Sequence, residues 1–100
     1  MFGLKDADIK LIKSVFLRYK NITKVVLYGS RAMGNYKNAS DIDLTMFGAN
    51  LNMDILLRIE NELDDLLLPY NIDLSIYDKI ENKDLKDHIN RVGKVFYEKK

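Results

Sequence analysis

Val25-Val26-Leu27-Tyr28-Gly29-Ser30, followed after ten residues by Asp41-Ile42-Asp43-Leu44, is the stretch that decides the fold of this chain. Residues 24–28 form a short β-branched run, which favours a buried strand. Residues 41–47 alternate between polar and apolar, which predicts a second strand with the carboxylates of Asp41 and Asp43 on the same face. A glycine directly after a strand allows a sharp turn whose backbone N–H groups can approach an anion. The two stretches therefore predict an anion-binding turn beside a carboxylate pair.

The chain on either side predicts further helices and strands. Apolar residues recur every three or four positions over residues 6–19 and 53–68; Asn50 or Asn52 can cap the second helix, and Pro69 ends it. Residues 29–40 predict a loop, with at most one helical turn, and residues 72–77 predict a strand. Asn82 and Gly93 are expected to bound a last helix. We therefore expect one domain, residues 1–100, of α/β (α+β) class, with the order α-β-loop-β-α-β-α and a small, three-stranded mixed sheet.

Composition excludes several classes of protein. The 100 residues are 47% hydrophobic and 31% charged, as in a soluble globular domain. No apolar stretch approaches the roughly 18 residues that span a bilayer, and no signal peptide is recognisable, so we expect no membrane contact and a cytoplasmic location. The chain has no cysteine and a net charge of +1. Because its basic residues form no concentrated stripe, we expect no nucleic-acid substrate.

The aspartates carry the most specific chemistry. Asp41 and Asp43 lie two residues apart on a strand, so their Cα atoms should be roughly 6.5–7 Å apart with both side chains on one face. Asp73 has the same phase in the next predicted strand and joins them if the strands are neighbours. Three clustered carboxylates are costly unless a cation neutralises them. The cluster therefore predicts bound Mg²⁺ or Mn²⁺, as one ion or two.

The residues around Gly29 predict a phosphate site. The hydroxyl of Ser30 can bind a phosphate oxygen or cap a short helix, and Arg31 is a candidate charge clamp. Two other phosphate motifs fail. Gly29 and Gly34 have the spacing of a P-loop but lack its Lys-Ser/Thr, and the second glycine of a dinucleotide fingerprint is missing.

The run from Leu27 to Gly34, with Ser40-Asp41-Ile42-Asp43-Leu44 and then Asp73, resembles the polymerase-β-type nucleotidyltransferase superfamily. Within it, the chain is similar to the minimal nucleotidyltransferases, or MNT proteins, which are antitoxin partners of HEPN toxins. The resemblance covers essentially the whole chain. It implies the nucleotidyltransferase fold, with helices packed on one face of the sheet.

The resemblance also implies roles for the motif residues. Gly29, Ser30, Arg31 and Ser40 would bind the nucleotide, and Asp41, Asp43 and Asp73 would be the catalytic ligands of two Mg²⁺ ions. The expected activity is transfer of AMP from ATP to a hydroxyl, typically a tyrosine, of a small all-helical HEPN-type toxin. We expect a hetero-oligomer with that toxin, and a homodimer is an open alternative.

Two other functions stay open: an antitoxin or regulatory subunit that acts by occlusion with a weak nucleotide site, and nucleotidyl transfer to a small molecule. His88 is interpreted as a surface or partly packed residue, and Tyr28 as a packing residue. Phe96 and Tyr97 are expected to pack either on the sheet or on a partner.

Overall fold

A computed structural model describes residues 1–37 and 40–100. The elements in chain order are helix α1 (Asp6–Leu17), strand β1 (Ile22–Tyr28), helix α2 (Ser30–Met33), strand β2 (Ile42–Gly48), helix α3 (Met53–Asp64), strand β3 (Ile72–Ile76), a 3₁₀ turn (Tyr77–Lys79), helix α4 (Lys83–Val92) and strand β4 (Lys94–Glu98). The predicted order is confirmed, with α2 and β4 added to it. The predicted loop over residues 29–40 contains α2 and includes residues 38 and 39, which lie outside the described residues.

The strands form one mixed sheet in the order β3-β2-β1-β4. Strand β1 pairs antiparallel with both β2 and β4, whereas β2 and β3 are parallel and are joined through α3. The prediction of a mixed sheet is confirmed, but the prediction of three strands was wrong. Strand β4 is short and lies at an edge, and Phe96 is its one buried residue, so its alternation is too weak to distinguish it from a polar tail.

Helices cover both faces of the sheet, because β1 is apolar on both. Val25 and Leu27 face the main core, which α1 and α3 complete. Val26 and Tyr28 face the other way and pack with Ile89 of α4. The expected packing of helices on one face therefore holds for α1 and α3 but not for α4.

The ends of the helices follow local hydrogen bonding. The side chain of Asn52 accepts from the Ile55 N–H at 2.9 Å and caps α3. Helix α3 ends at Asp64, before the predicted limit near Pro69. Leu67 has a φ of 54°, a left-handed conformation that is incompatible with a right-handed helix. Across residues 1–37 and 40–100, no helix is both long and apolar enough to cross a membrane.

The position of β4 predicts unequal effects of two neighbouring substitutions. Phe96 is 3% exposed and part of the main core, whereas Val95 on the opposite face is 53% exposed. Phe96→Ala should lower the free energy of unfolding by about 3–5 kcal/mol. Val95→Ala is the matched control and should change it by less than about 1 kcal/mol. Urea unfolding of both variants measures the difference, and equal effects would show that β4 does not complete the core.

Candidate active site

The sheet register places the central carboxylates side by side. In the antiparallel pair, Tyr28 lies opposite Asp43, and in the parallel pair Asp43 lies opposite Asp73. Neighbouring strands are about 4.8 Å apart, and residues paired across strands point to the same face. Tyr28, Asp43 and Asp73 therefore form a row across three strands, on the face that α4 partly covers. Asp41 directly precedes β2 and has the same phase as Asp43.

Gly29 lies directly against this row. It follows β1 with a φ of 78°, and a Cβ added to it would lie 2.4 Å from Oδ2 of Asp43. Both the left-handed conformation and the close approach require a residue without a side chain. The turn and the carboxylate are thus packed together as one unit, as the sequence predicted.

The electrostatic cost of the row falls on Asp43. Burial raises the pKa of its carboxyl, and the negative charges of Asp73 and Asp41 raise that pKa further. Burial likewise raises the pKa of the Tyr28 phenol, and Asp73 and Asp43 contribute to this shift. A half-buried carboxylate held beside two others is an environment that a cation would stabilise.

The donor set fits a hard divalent cation in type. Three carboxylates on one face are ligands that Mg²⁺ and Mn²⁺ prefer. In the conformation of the described residues, no three His, Asp or Glu side chains are arranged as a complete metal site. Asp41 and Asp73 are exposed, so their side chains have room to turn toward a cation shared with Asp43.

Arg31 occupies a different environment from the predicted phosphate clamp. It is buried, and its Nε and Nη2 donate to the Ser40 carbonyl at 3.2 and 2.9 Å. Its Nη1 donates to the Phe2 carbonyl at 2.9 Å, and its guanidinium lies 5.2 and 5.3 Å from the ring centroids of Tyr36 and Tyr70. The side chain thus ties the N-terminal segment to the segment that leads into β2.

The two serines of the motif have separate places. Ser30 begins α2 beside Gly29 and is half-buried. The Ser40 hydroxyl accepts from the Lys37 N–H at 2.8 Å, while its carbonyl accepts from Arg31. The structure therefore packs Gly29 against Asp43, with Ser30 next in the chain, and it places Arg31 and Ser40 in the support of β2.

His88 is the site residue that sequence reasoning missed. It is half-buried on α4, and its Nε2 accepts from the Gly29 N–H at 3.2 Å. Its position directly before the apolar Ile89 was a weak signal of a boundary residue. The pattern could not show which face of the sheet α4 covers, and that face determines what His88 meets.

Comparisons with known proteins identify the family of the chain. Residues 10–100 match the family described as "Polymerase beta, Nucleotidyltransferase", and the chain belongs to that family. No curated protein sequence matches the chain.

Solved structures show the same fold at low sequence identity. A toxin–antitoxin structure with AMP-PNP is 19% identical with a TM-score of 0.73, and the match covers 97% of this chain and 76% of that one. A complex described as tri-AMPylated Shewanella oneidensis HEPN toxin with MNT antitoxin is 16% identical with a TM-score of 0.70, covering 96% and 74%. A toxin–antitoxin structure of MntA and HepT is 16% identical with a TM-score of 0.69, covering 95% and 74%. The fold is therefore that of MNT antitoxin structures.

The burial of Arg31 predicts a large effect on stability. Arg31→Ala should lower the free energy of unfolding by about 3 kcal/mol or more, because charge-assisted hydrogen bonds are lost and buried carbonyls are left unpaired. Arg18→Ala is the control: its side chain is 62% exposed and its Nη1 lies 2.7 Å from Oε1 of Glu62, so we expect a loss below about 1 kcal/mol. Chemical denaturation measures both, and a small effect for Arg31→Ala would contradict a supporting role.

The clustering around Asp43 predicts that its removal stabilises the protein without divalent cations. Because the folded-state pKa of Asp43 is raised, its ionised form destabilises the fold above that pKa. Asp43→Asn should therefore raise Tm at pH 7 in EDTA by about 2–4 °C. The difference should disappear as the pH falls toward the ordinary aspartate pKa of about 3.9. Asp65→Asn, at an exposed position after α3, is the control, and a lower Tm for Asp43→Asn would contradict the prediction.

Proposed function

We propose that this chain is a Mg²⁺-dependent nucleotidyltransferase that transfers AMP from ATP to a hydroxyl, in particular a tyrosine hydroxyl, of an all-helical HEPN-type toxin and thereby acts as its antitoxin. The observation that carries the proposal is the register of β2. It aligns Asp43 with Asp73 on one side, while Gly29 packs against Asp43 from the end of β1. This packing of the glycine turn against the aspartates, in a member of the nucleotidyltransferase family, supports a phosphate-binding role for the turn.

The proposed reaction exchanges one P–O bond for another. The acceptor oxygen forms a bond to the α-phosphorus of ATP, and the bond from that phosphorus to the β-phosphate bridging oxygen breaks, releasing pyrophosphate. The proton of the acceptor hydroxyl passes to a carboxylate oxygen of Asp73. Asp41, Asp43 and Asp73 would hold Mg²⁺, which supplies positive charge to the phosphate oxygens when bound.

The difference in exposure between Asp43 and Asp73 supports different roles for them, Asp43 at the nucleotide and Asp73 at the acceptor. Asp43 is half-buried against Gly29, where the triphosphate would lie near the Gly29-Ser30 turn. Asp73 is exposed on the edge strand β3 and borders a surface concavity formed by the end of α3 and the following loop. An acceptor from another molecule can therefore approach Asp73 without crossing the nucleotide position.

The nature of the acceptor is supported by the structural neighbours. One of them is described as a tri-AMPylated HEPN toxin in complex with an MNT antitoxin, and another as a toxin–antitoxin with AMP-PNP. A shared fold with these complexes favours a hetero-oligomer of this chain with a HEPN-type toxin, in the cytoplasm. It also favours ATP as the substrate.

The proposal is tested by incubating the protein with α-labelled ATP, Mg²⁺ and the cognate HEPN-type toxin that the proposal requires. We expect label on a tyrosine of that protein, and at least about a 100-fold slower transfer by Asp43→Asn. Asp65→Asn, at an exposed position after α3, should transfer at the wild-type rate. EDTA should abolish transfer.

The same experiment separates the alternative functions. If Asp43→Asn neutralises the toxin as well as the wild-type chain does, with no label transferred by either, the antitoxin acts by occlusion and the proposed enzyme activity is wrong. Label that appears only on added small molecules would assign the chain to small-molecule nucleotidyl transfer instead.

A further inference from the structure

His88 is brought to the carboxylate face by the way α4 packs. Ile89 is 3% exposed and packs with Val26 and Tyr28 on that face. At the end of α4, a Cβ on Gly93 would lie 2.4 Å from the Ile89 carbonyl oxygen and 2.6 Å from Cγ1 of Val26. The absence of a side chain at Gly93 thus lets the end of α4 approach β1 closely, which fixes the position of the whole helix.

The imidazole of His88 makes two contacts with the end of β1. Its Nε2 accepts from the Gly29 N–H at 3.2 Å. Its ring meets the ring of Tyr28 edge-on, with centroids 6.2 Å apart and an interplanar angle of 79°. Because Nε2 is the acceptor in this contact, it carries no proton there, and Nδ1 is the donor nitrogen of the ring.

The hydrogen bond acts at the point where the sheet stops. The pairing of β1 with β2 ends at Tyr28 and Asp43, so Gly29 is the first residue beyond the ladder. Its φ of 78° turns the chain away from the strand. A backbone N–H that leaves a ladder needs a new acceptor when it is shielded from water, and His88 supplies one.

We propose that His88 is a positioning residue of the nucleotide site: its Nε2 accepts from the Gly29 N–H and holds the turn in the left-handed conformation that packs Gly29 against Asp43. The role of this turn in nucleotide binding rests on the proposed function. His88 acts through Gly29, since its Nε2 is already committed to that N–H. The base that receives the acceptor proton remains Asp73.

The hydrogen bond itself is tested without nucleotide or partner. In ¹⁵N-labelled protein, an HNN-COSY experiment should detect a scalar coupling between the Gly29 amide nitrogen and Nε2 of His88. His88→Phe keeps an aromatic ring against Tyr28 but has no acceptor, so exchange of the Gly29 amide proton should be about tenfold faster than in the wild type. A wild-type protein without this coupling, and with equal exchange in the variant, would overturn the proposal.

The effect on the site is tested by the affinity for Mg²⁺ and a non-hydrolysable ATP analogue. His88→Phe should raise Kd about five- to tenfold, and His88→Gln, whose side-chain amide can again accept from Gly29, should recover most of this loss. Asp87→Asn, at the exposed neighbouring position, is the control and should bind like the wild type. Equal affinity of His88→Phe and wild type, with both folded by circular dichroism, would overturn the proposal.

The outcomes for His88 and for the enzyme activity are separable. If the coupling is present and nucleotide affinity follows the His88 variants, but no AMP is transferred, the positioning role is supported and the proposed transfer reaction is wrong. If AMP is transferred equally fast by wild type and His88→Phe at low ATP concentration, the reverse holds.

Discussion

The site depends on one constraint, which is that β2 carries a carboxylate into the middle of the sheet. Asp43 lies between Tyr28 and Asp73 with a glycine turn packed against it, so its charge is partly removed from water. Burial and two neighbouring carboxylates raise its pKa. A fold that needed only stability would place an apolar or neutral residue here. The ionised Asp43 carboxylate therefore destabilises the folded state, as is typical of residues at functional sites.

Several features around Asp43 follow from that constraint. A glycine is required at position 29 because any side chain would meet the Asp43 carboxylate. Strand β2 must remain fixed although one face carries charge, and its other face supplies the necessary burial: Ile42, Leu44 and Met46 are fully buried. The apolar face thus holds the strand, and the polar face is left for function.

Period-two alternation was sufficient to predict which aspartates share a face, because the rule is local to each strand. From the sequence, Asp73 was expected to join the row only if its strand lay beside β2. The parallel pairing of β2 and β3 confirms that condition. Residues whose roles depend on distant elements were not predictable. Arg31 follows the turn directly, yet its partners are Phe2 and Ser40, and His88 meets Gly29 across 59 residues of sequence. Edge strand β4 was missed for the same reason, since its partner β1 and not its own pattern defines it.

Two side chains, buried Arg31 and half-buried His88, hold the residues around the Gly29 turn in place. Arg31 binds carbonyl groups on the α2 side, where it secures the segment before β2. His88 approaches from α4 and binds the N–H of Gly29. One supports the strand that carries the aspartates and the other supports the turn that faces them, so the distance between turn and carboxylates is set from both sides. At the other end of the row, Asp73 is exposed on the edge strand β3, where a second molecule has access.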